Sequence, residues 1–270
     1  MPGSTGSFYR SLNGTTAMGL TDGLHIPPIS LRAMSEDCNS LGQPIGPAVP
    51  NWTRRTGPSR TPMMGRFCRL ERLDVKRHVD DLWAANSLDC EGQMWTYLPW
   101  GPFGSFDEYL AYMQTVAPKE DPLIHALIDT DTDKTVGVAS YLRVNADAGT
   151  IEVGGLAYSP LLQRRPAATE AMYLMMRRVF DELGYRRYEW KCNALNAPSR
   201  AAATRLGFQF EGIFRQADRQ GPQPRHSVVC DYRPRMAGIA RGVRALARSR
   251  QFRREWPAAR QLVVIDQRIG

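Results

Sequence analysis

Glu152-Val153-Gly154-Gly155-Leu156-Ala157-Tyr158-Ser159-Pro160-Leu161-Leu162-Gln163-Arg164-Arg165-Pro166-Ala167-Ala168-Thr169-Glu170 is the stretch that decides the fold. Its first half reads as the end of a strand. Pro166 then opens a helix, because a proline at the first helical position loses no amide that the helix needs. Between the two lie small residues that admit close approach and two arginines, Arg164 and Arg165. Successive backbone amides ahead of a helix, next to basic side chains, form an anion-binding helix start large enough for a pyrophosphate. The same residues also suit an ordinary strand-to-helix loop with two solvated arginines.

Working outward, the Pro166 helix has Met172, Met175, Met176, Val179 and Leu183 on one face and Gly184 as its stop, the pattern of a helix packed on a sheet. Upstream, the runs 123–128, 136–144 and 150–158 are separated by polar turns and predict an antiparallel meander. Before them, the alternation over 65–70 predicts a strand, Asp74 caps a helix with Val75, Val79, Leu82 and Asn86 on one face, and Ser105 with Glu108 forms a capping box for a second helix ending at Pro118. Downstream, Tyr188 to Cys192 alternates as a strand. A short helix follows over 198–206, capped by Asn196 and stopped by Gly207, and 208–214 reads as a further strand.

Composition sets the outer limits. Residues 1–62 hold eight Gly and eight Pro without a period of 2 or 3.6, so they predict a mostly disordered leader ahead of a domain over 63–217. The formal net charge of +8 is contained in residues 233–270, where ten Arg face two acids; the remaining 25 basic and 25 acidic residues balance. The body therefore gives no electrostatic ground for non-specific binding of nucleic acid. No apolar run approaches a membrane span, the first ten residues do not have the order of a signal peptide, and a cytoplasmic location is expected. Five scattered cysteines without a Cys-x-x-Cys pair, and four histidines far apart, predict reduced thiols and no metal site.

The order of elements, together with Glu152-Val153-Gly154, Gln163-Arg164-Arg165-Pro166-Ala167-Ala168, Asn196-Ala197-Pro198-Ser199 and Arg205-Leu206-Gly207-Phe208, resembles the GNAT superfamily of N-acetyltransferases. The second of these matches the family's Gln/Arg-x-x-Gly-x-Gly/Ala loop with proline in place of the first glycine. Within the superfamily the chain resembles the branch of ribosomal-protein N-terminal serine and alanine acetyltransferases, and Trp95-Thr96-Tyr97-Leu98-Pro99-Trp100-Gly101-Pro102-Phe103 resembles a signature of related bacterial proteins. The resemblance implies an α/β fold of the α+β kind, with a mixed, mostly antiparallel sheet flanked by helices and a V-shaped splay that binds acyl-CoA. The implied reaction transfers acetyl from acetyl-CoA, without a metal, to an amine, with a protein N-terminus favoured over a small amine.

The resemblance also implies the roles. Backbone amides of Leu156, Ala157 and Tyr158 would hold the acyl carbonyl and pantetheine, and Gln163, Arg164, Arg165, Ala167, Ala168 and Thr169 the pyrophosphate. Asn196 would bind the pantetheine arm, Glu152 would be the base, and Ser199 would protonate the leaving thiolate. Tyr97 and Trp100 would wall the acceptor side. Each has a structural counterpart: an ion pair for Glu152, a helix-capping residue for Ser199, and aromatic core filling for the loop. The alternatives from another class are a non-catalytic CoA-binding domain and a nucleic-acid binder acting through its Arg-rich tail.

Residues 218–270 match neither the superfamily's last strand nor an amphipathic helix. Suitable codons read one nucleotide out of frame give R-N-R-D-T-A-W-Y-A-I-T-D-R-E-W-P, which resembles the expected strand. A change of reading frame near Asp218 to Gln220 is therefore expected, and with it a missing final strand and an unpaired sheet edge near Phe208 to Phe214.

Overall fold

The computed structural model describes residues 37–220 and 225–234, and the chain divides into two units after Trp52. In the first, β1 (Asp37–Cys38) pairs antiparallel with β2 (Pro44–Ile45). Asn39 Oδ1 shapes the turn between them by accepting from the amides of Leu41 and Gln43, both at 3.0 Å.

The second unit contains β3 (Met63–Met64), β4 (Cys68–Arg72), α1 (Val75–Asn86), α2 (Phe106–Val116), β5 (Leu123–Asp129), β6 (Thr135–Asn145), β7 (Thr150–Tyr158), α3 (Pro166–Arg177), β8 (Arg187–Asn193), α4 (Ala197–Arg205), β9 (Phe208–Gln220) and β10 (Arg225–Pro234). The strands form a sheet in the order β3-β4-β5-β6-β7-β8-β10-β9. β7 and β8 run parallel, and the other neighbours pair antiparallel.

Caps and periods place the helices where the residues predict them. Asp74 accepts from the Lys76 amide at 2.9 Å, and Ser105 from the Glu108 amide at 3.2 Å. Glu108 reaches back to the Gly104 amide at 2.8 Å, one residue earlier than a standard capping box. The sheet is buried on both faces, as β5 shows: Leu123 and Leu127 join the core under α3 and α4, while Ile124, Ala126 and Ile128 join the core under α1 and α2. The methionine face of α3 fills the first of these cores, with Met172, Met175 and Met176 buried, and Val179 of the π-helical turn Arg178–Glu182 continues it.

Of the residues expected in the leader, those from Thr53 onward belong to the second unit. Buried Arg178 donates to the carbonyls of Ser59, Thr61 and Pro62 (3.4, 2.8 and 3.3 Å), and the Arg55 amide bonds to the Ala146 carbonyl at 3.0 Å. A segment too polar to build a core is held through its backbone carbonyls instead. The earlier leader, 1–36, lies outside the described residues.

The final strand is also present: β10 inserts between β8 and β9, pairing Asp231 with Lys191 and Cys230 with both Cys192 and Ile213. Pro222 and Pro224 precede it, and Pro234 is its last residue, so no proline interrupts the ladder. β9, which carries Phe208 to Phe214, is paired along one side by β10. The Arg-rich tail over 235–270 lies outside the described residues.

Two buried polar groups yield predictions. Glu170, on α3 and 3% exposed, accepts from three consecutive amides, those of Arg66, Phe67 and Cys68, at 2.9, 2.6 and 3.0 Å. Glu170→Ala strands these donors and should cost roughly 3 kcal/mol or more in urea unfolding; a loss under about 1 kcal/mol would mean that other groups or water satisfy the amides.

His125, 1% exposed on β5, has an unbonded Nδ1, and burial followed by the nearby Arg178 and Arg72 charges pushes its pKa down to about 3. Only the unfolded chain then takes up this proton below about pH 6.5, so stability falls with acidification through that value down to the folded pKa. Between pH 7 and pH 5 the group should account for about 2 kcal/mol of lost stability. His125→Leu should flatten the slope by that amount, and an unaltered slope would rule the residue out as its source.

Candidate active site

β7 and β8 hold a parallel register through Thr150–Arg187, Ile151–Tyr188, Glu152–Glu189 and Val153–Trp190, and there it ends. Beyond it, Lys191, Cys192 and Asn193 of β8 are paired only with β10, on the far edge of that strand, and Gly154, Ala157 and Tyr158 of β7 only with β6, on the far edge of theirs. The strands part, and the edge of β7 that faced β8 has no strand beside it among the described residues.

A bulge sharpens the parting. Between the Val138–Ala157 and Ser140–Gly154 pairs, Gly155 and Leu156 both stand opposite Ala139. Gly155 takes φ +58, and a Cβ there would lie 3.2 Å from Ser140 Oγ, so glycine suits both the conformation and the space. Leu156, Ala157 and Tyr158 follow the bulge along the stretch of β7 that β8 no longer pairs.

The chain then turns into α3. Ser159 accepts on its carbonyl from the amides of Leu162 and Gln163 (2.9 and 3.0 Å), and Gln163 Nε2 donates to the Tyr158 carbonyl at 2.8 Å. Arg164 takes φ +60, and Arg165 is the helix cap without a side-chain bond to the first turn. Gln163, Arg164 and Arg165 are exposed, Ala167 is buried, and Ala168 and Thr169 are half-buried. Arg205 Nη1 donates to Thr169 Oγ1 at 2.8 Å, bringing a third guanidinium to the first turn. A helix start whose cap provides no acceptor, with arginines around it, fits a pyrophosphate.

On the other lip, Asn196 caps α4 by accepting from the Ser199 amide at 3.0 Å, and Ser199 Oγ accepts from Trp190 Nε1 at 3.0 Å. Trp190 is the last residue of β8 in register with β7, so Ser199 is tied to the point where the strands separate. Ser199 is half-buried and its hydroxyl hydrogen is not used by the indole bond, because the indole only donates.

Glu152, 3% exposed, sits one residue before the parting. Arg143 Nη1 bonds its Oε1 at 2.7 Å and Lys191 Nζ its Oε2 at 2.8 Å. Burial raises its pKa against the opposing pull of Lys191 and Arg143. Lys191 also bonds Glu189, which Arg187 bonds in turn. The ion pair therefore exists, and it leaves each carboxylate oxygen a further lone pair.

Of the two aromatic residues expected at the acceptor side, Tyr97 reaches the opening and donates from its hydroxyl to the Leu195 carbonyl at 3.2 Å. Trp100 joins an aromatic pack: it stacks on Tyr112 with centroids 5.4 Å apart and meets Trp95 edge-on at 5.3 Å. Sequence reasoning missed Arg143, Lys191, Glu189, Trp190 and Arg205. The parallel register of β7 and β8 brings most of these to the site, and no local motif signals it. No cluster of His, Cys, Asp and Glu suited to a metal occurs among the described residues.

Comparison with known proteins agrees with this geometry. The profile of the acetyltransferase (GNAT) domain matches residues 69–209. A GCN5-related N-acetyltransferase from Brucella melitensis is 39% identical, with a TM-score of 0.70 over 73% of this chain and 89% of that one. A GNAT-family protein from Chromobacterium violaceum is 32% identical, with a TM-score of 0.66 over 73% of this chain and 97% of that one. At 19% identity, a RimL ribosomal L7/L12 alpha-N-protein acetyltransferase shares the fold, with a TM-score of 0.55 over 64% and 93% of the two chains. The search of curated proteins found no match. Strands that part beside a bulged glycine, an arginine-flanked helix start and these relatives lead to one conclusion: the chain belongs to the GNAT family of acetyltransferases.

Proposed function

We propose that the protein acetylates a primary amine with acetyl-CoA as co-substrate, and that the amine is the N-terminus of a protein chain. The observation that carries this reading is the end of the β7–β8 register ahead of an α3 start that has Arg164, Arg165 and Arg205 around it. The pantetheine arm would lie along Leu156, Ala157 and Tyr158, with the pyrophosphate at 163–169 and Asn196 on the opposite lip. The likeness of fold to a ribosomal-protein acetyltransferase supports a protein N-terminus. A small amine is the second acceptor to test. The balanced charge of residues 1–232 supports a catalytic body over a nucleic-acid binder, and a cytoplasmic place of action goes with this reading.

In the reaction the amine nitrogen forms a bond to the thioester carbonyl carbon, the carbon–sulfur bond breaks, and sulfur leaves as a thiolate that takes up a proton. Glu152 accepts the proton lost by the amine, directly or through a water, and its raised pKa brings its proton affinity closer to the task. Ser199 Oγ, oriented by Trp190 Nε1, donates a proton toward sulfur. Arg143 and Lys191 keep Glu152 from turning away.

Two experiments test these assignments. Glu152→Gln should lower turnover roughly 100-fold while leaving acetyl-CoA affinity near that of the parent chain. In the parent, kcat/KM should fall on acidification with an apparent pKa above the ordinary carboxylate range, and that limb should vanish in the variant. Retained turnover would leave Glu152 as a member of an ion pair only. Separately, acetyl-CoA should raise the melting temperature of the full chain by mass action, and Ala168→Glu, which puts a carboxylate where the pyrophosphate would lie, should abolish the rise. A rise of equal size in that variant would move the cofactor elsewhere.

A further inference from the structure

We propose that Tyr97 is a positioning residue that ties the two lips of the cleft together and so sets its width around the pantetheine arm. The inference rests on the reading of the cleft as an acetyl-CoA site. Beyond Val153–Trp190 no ladder bond joins β7 to β8 among the described residues, so the gap between them must be set by groups that cross it. Tyr97 is one such group: its hydroxyl donates to the carbonyl of Leu195, 98 positions along the chain.

Each end of this bridge is anchored to a different lip. On the β7 side, Trp95 is buried in the same core as Ala157. Its indole packs edge-on against Trp100 and Phe103, with centroids 5.3 and 5.7 Å away. Gly101, at φ +74, lies so close that a Cβ there would come within 2.5 Å of the Trp95 ring. The loop carrying Tyr97 is therefore a stiff arm seated on the outer half of β7.

On the β8 side, Leu195 belongs to the turn between β8 and α4. Asn193 Oδ1 accepts from the Leu195 amide at 2.9 Å, and the Asn193 carbonyl accepts from the Asn196 amide at 2.9 Å. Arg200 Nη1 holds the Ala194 carbonyl at 3.1 Å, and the Leu195 carbonyl accepts from the Ala197 amide as well as from Tyr97. This turn leads directly into Asn196 and Ser199. A hydroxyl on the β7 lip thus fixes the segment that presents both residues from the β8 lip, and Tyr97 acts through that segment.

Tyr97→Phe removes one oxygen and keeps the ring. Dissociation of acetyl-CoA, followed by tryptophan fluorescence after rapid mixing with excess CoA, should quicken roughly three- to tenfold, the range expected for one hydrogen bond. KM for acetyl-CoA should rise in step, and kcat should change by less. The melting temperature without ligand should match that of the parent, because the bond is exposed and joins segments already folded. A parent chain that binds acetyl-CoA alongside a variant with the same dissociation rate overturns the proposal and leaves the cofactor site standing. A parent chain that does not bind acetyl-CoA overturns both. A variant whose melting temperature drops by several degrees makes Tyr97 a structural residue and likewise overturns it.

Discussion

Everything distinctive in this molecule depends on two parallel strands that stop pairing. A parallel pair inside a mixed sheet normally continues until one strand ends, since every broken ladder bond leaves a donor and an acceptor to be satisfied elsewhere. Here β7 keeps β6 on its far edge and β8 keeps β10 on its own, while the two edges that faced each other lose their pairing beyond Val153–Trp190. The unmatched edges tolerate this because they border a slot that water or a ligand can enter. The left-handed Gly155 and the bulge in the β6–β7 ladder fall where the β7–β8 pairing has just ended.

Such an opening would weaken the sheet unless the surrounding elements were anchored independently. Two buried ions do this on the α3 side. Glu170 takes three amides from the entry to β4, and Arg178 takes carbonyls from the segment before β3. Both exploit the excess of backbone groups where a chain enters a sheet, and both are multiply bonded, which is the condition under which a buried charge is tolerated. Because Glu170 lies in the first two turns of α3, the contact that secures the N-terminal strand also fixes the helix start facing the slot.

Glu152 belongs to a different kind of network. Arg143, Glu152, Lys191, Glu189 and Arg187 alternate in sign across β6, β7 and β8, and the exposure of Arg143 shows that the strip reaches solvent. Burial pushes the Glu152 pKa up while its two cations oppose the shift. A carboxylate in that balance suits proton transfer better than one buried without partners, which would stay neutral, or one fully exposed, which would bind a proton weakly.

The sequence by itself determined the elements and most of the motif residues. Asp74, Ser105, Pro166, Asn196 and Gly207 mark helix ends through bonds and dihedral limits that act within a few residues, and such local physics is legible in a linear string. The methionine face of α3 is legible for the same reason, since a 3.6-residue period is a property of one helix. The tertiary structure alone decided where the strands part, that Lys191 and Arg143 converge on Glu152, that Trp190 holds Ser199, and that Arg225–Pro234 enters the sheet between β8 and β9. These are relations of register between segments distant along the chain. A parallel pairing has no turn to fix it, so the partner of each residue is set only when both faces of the sheet are packed.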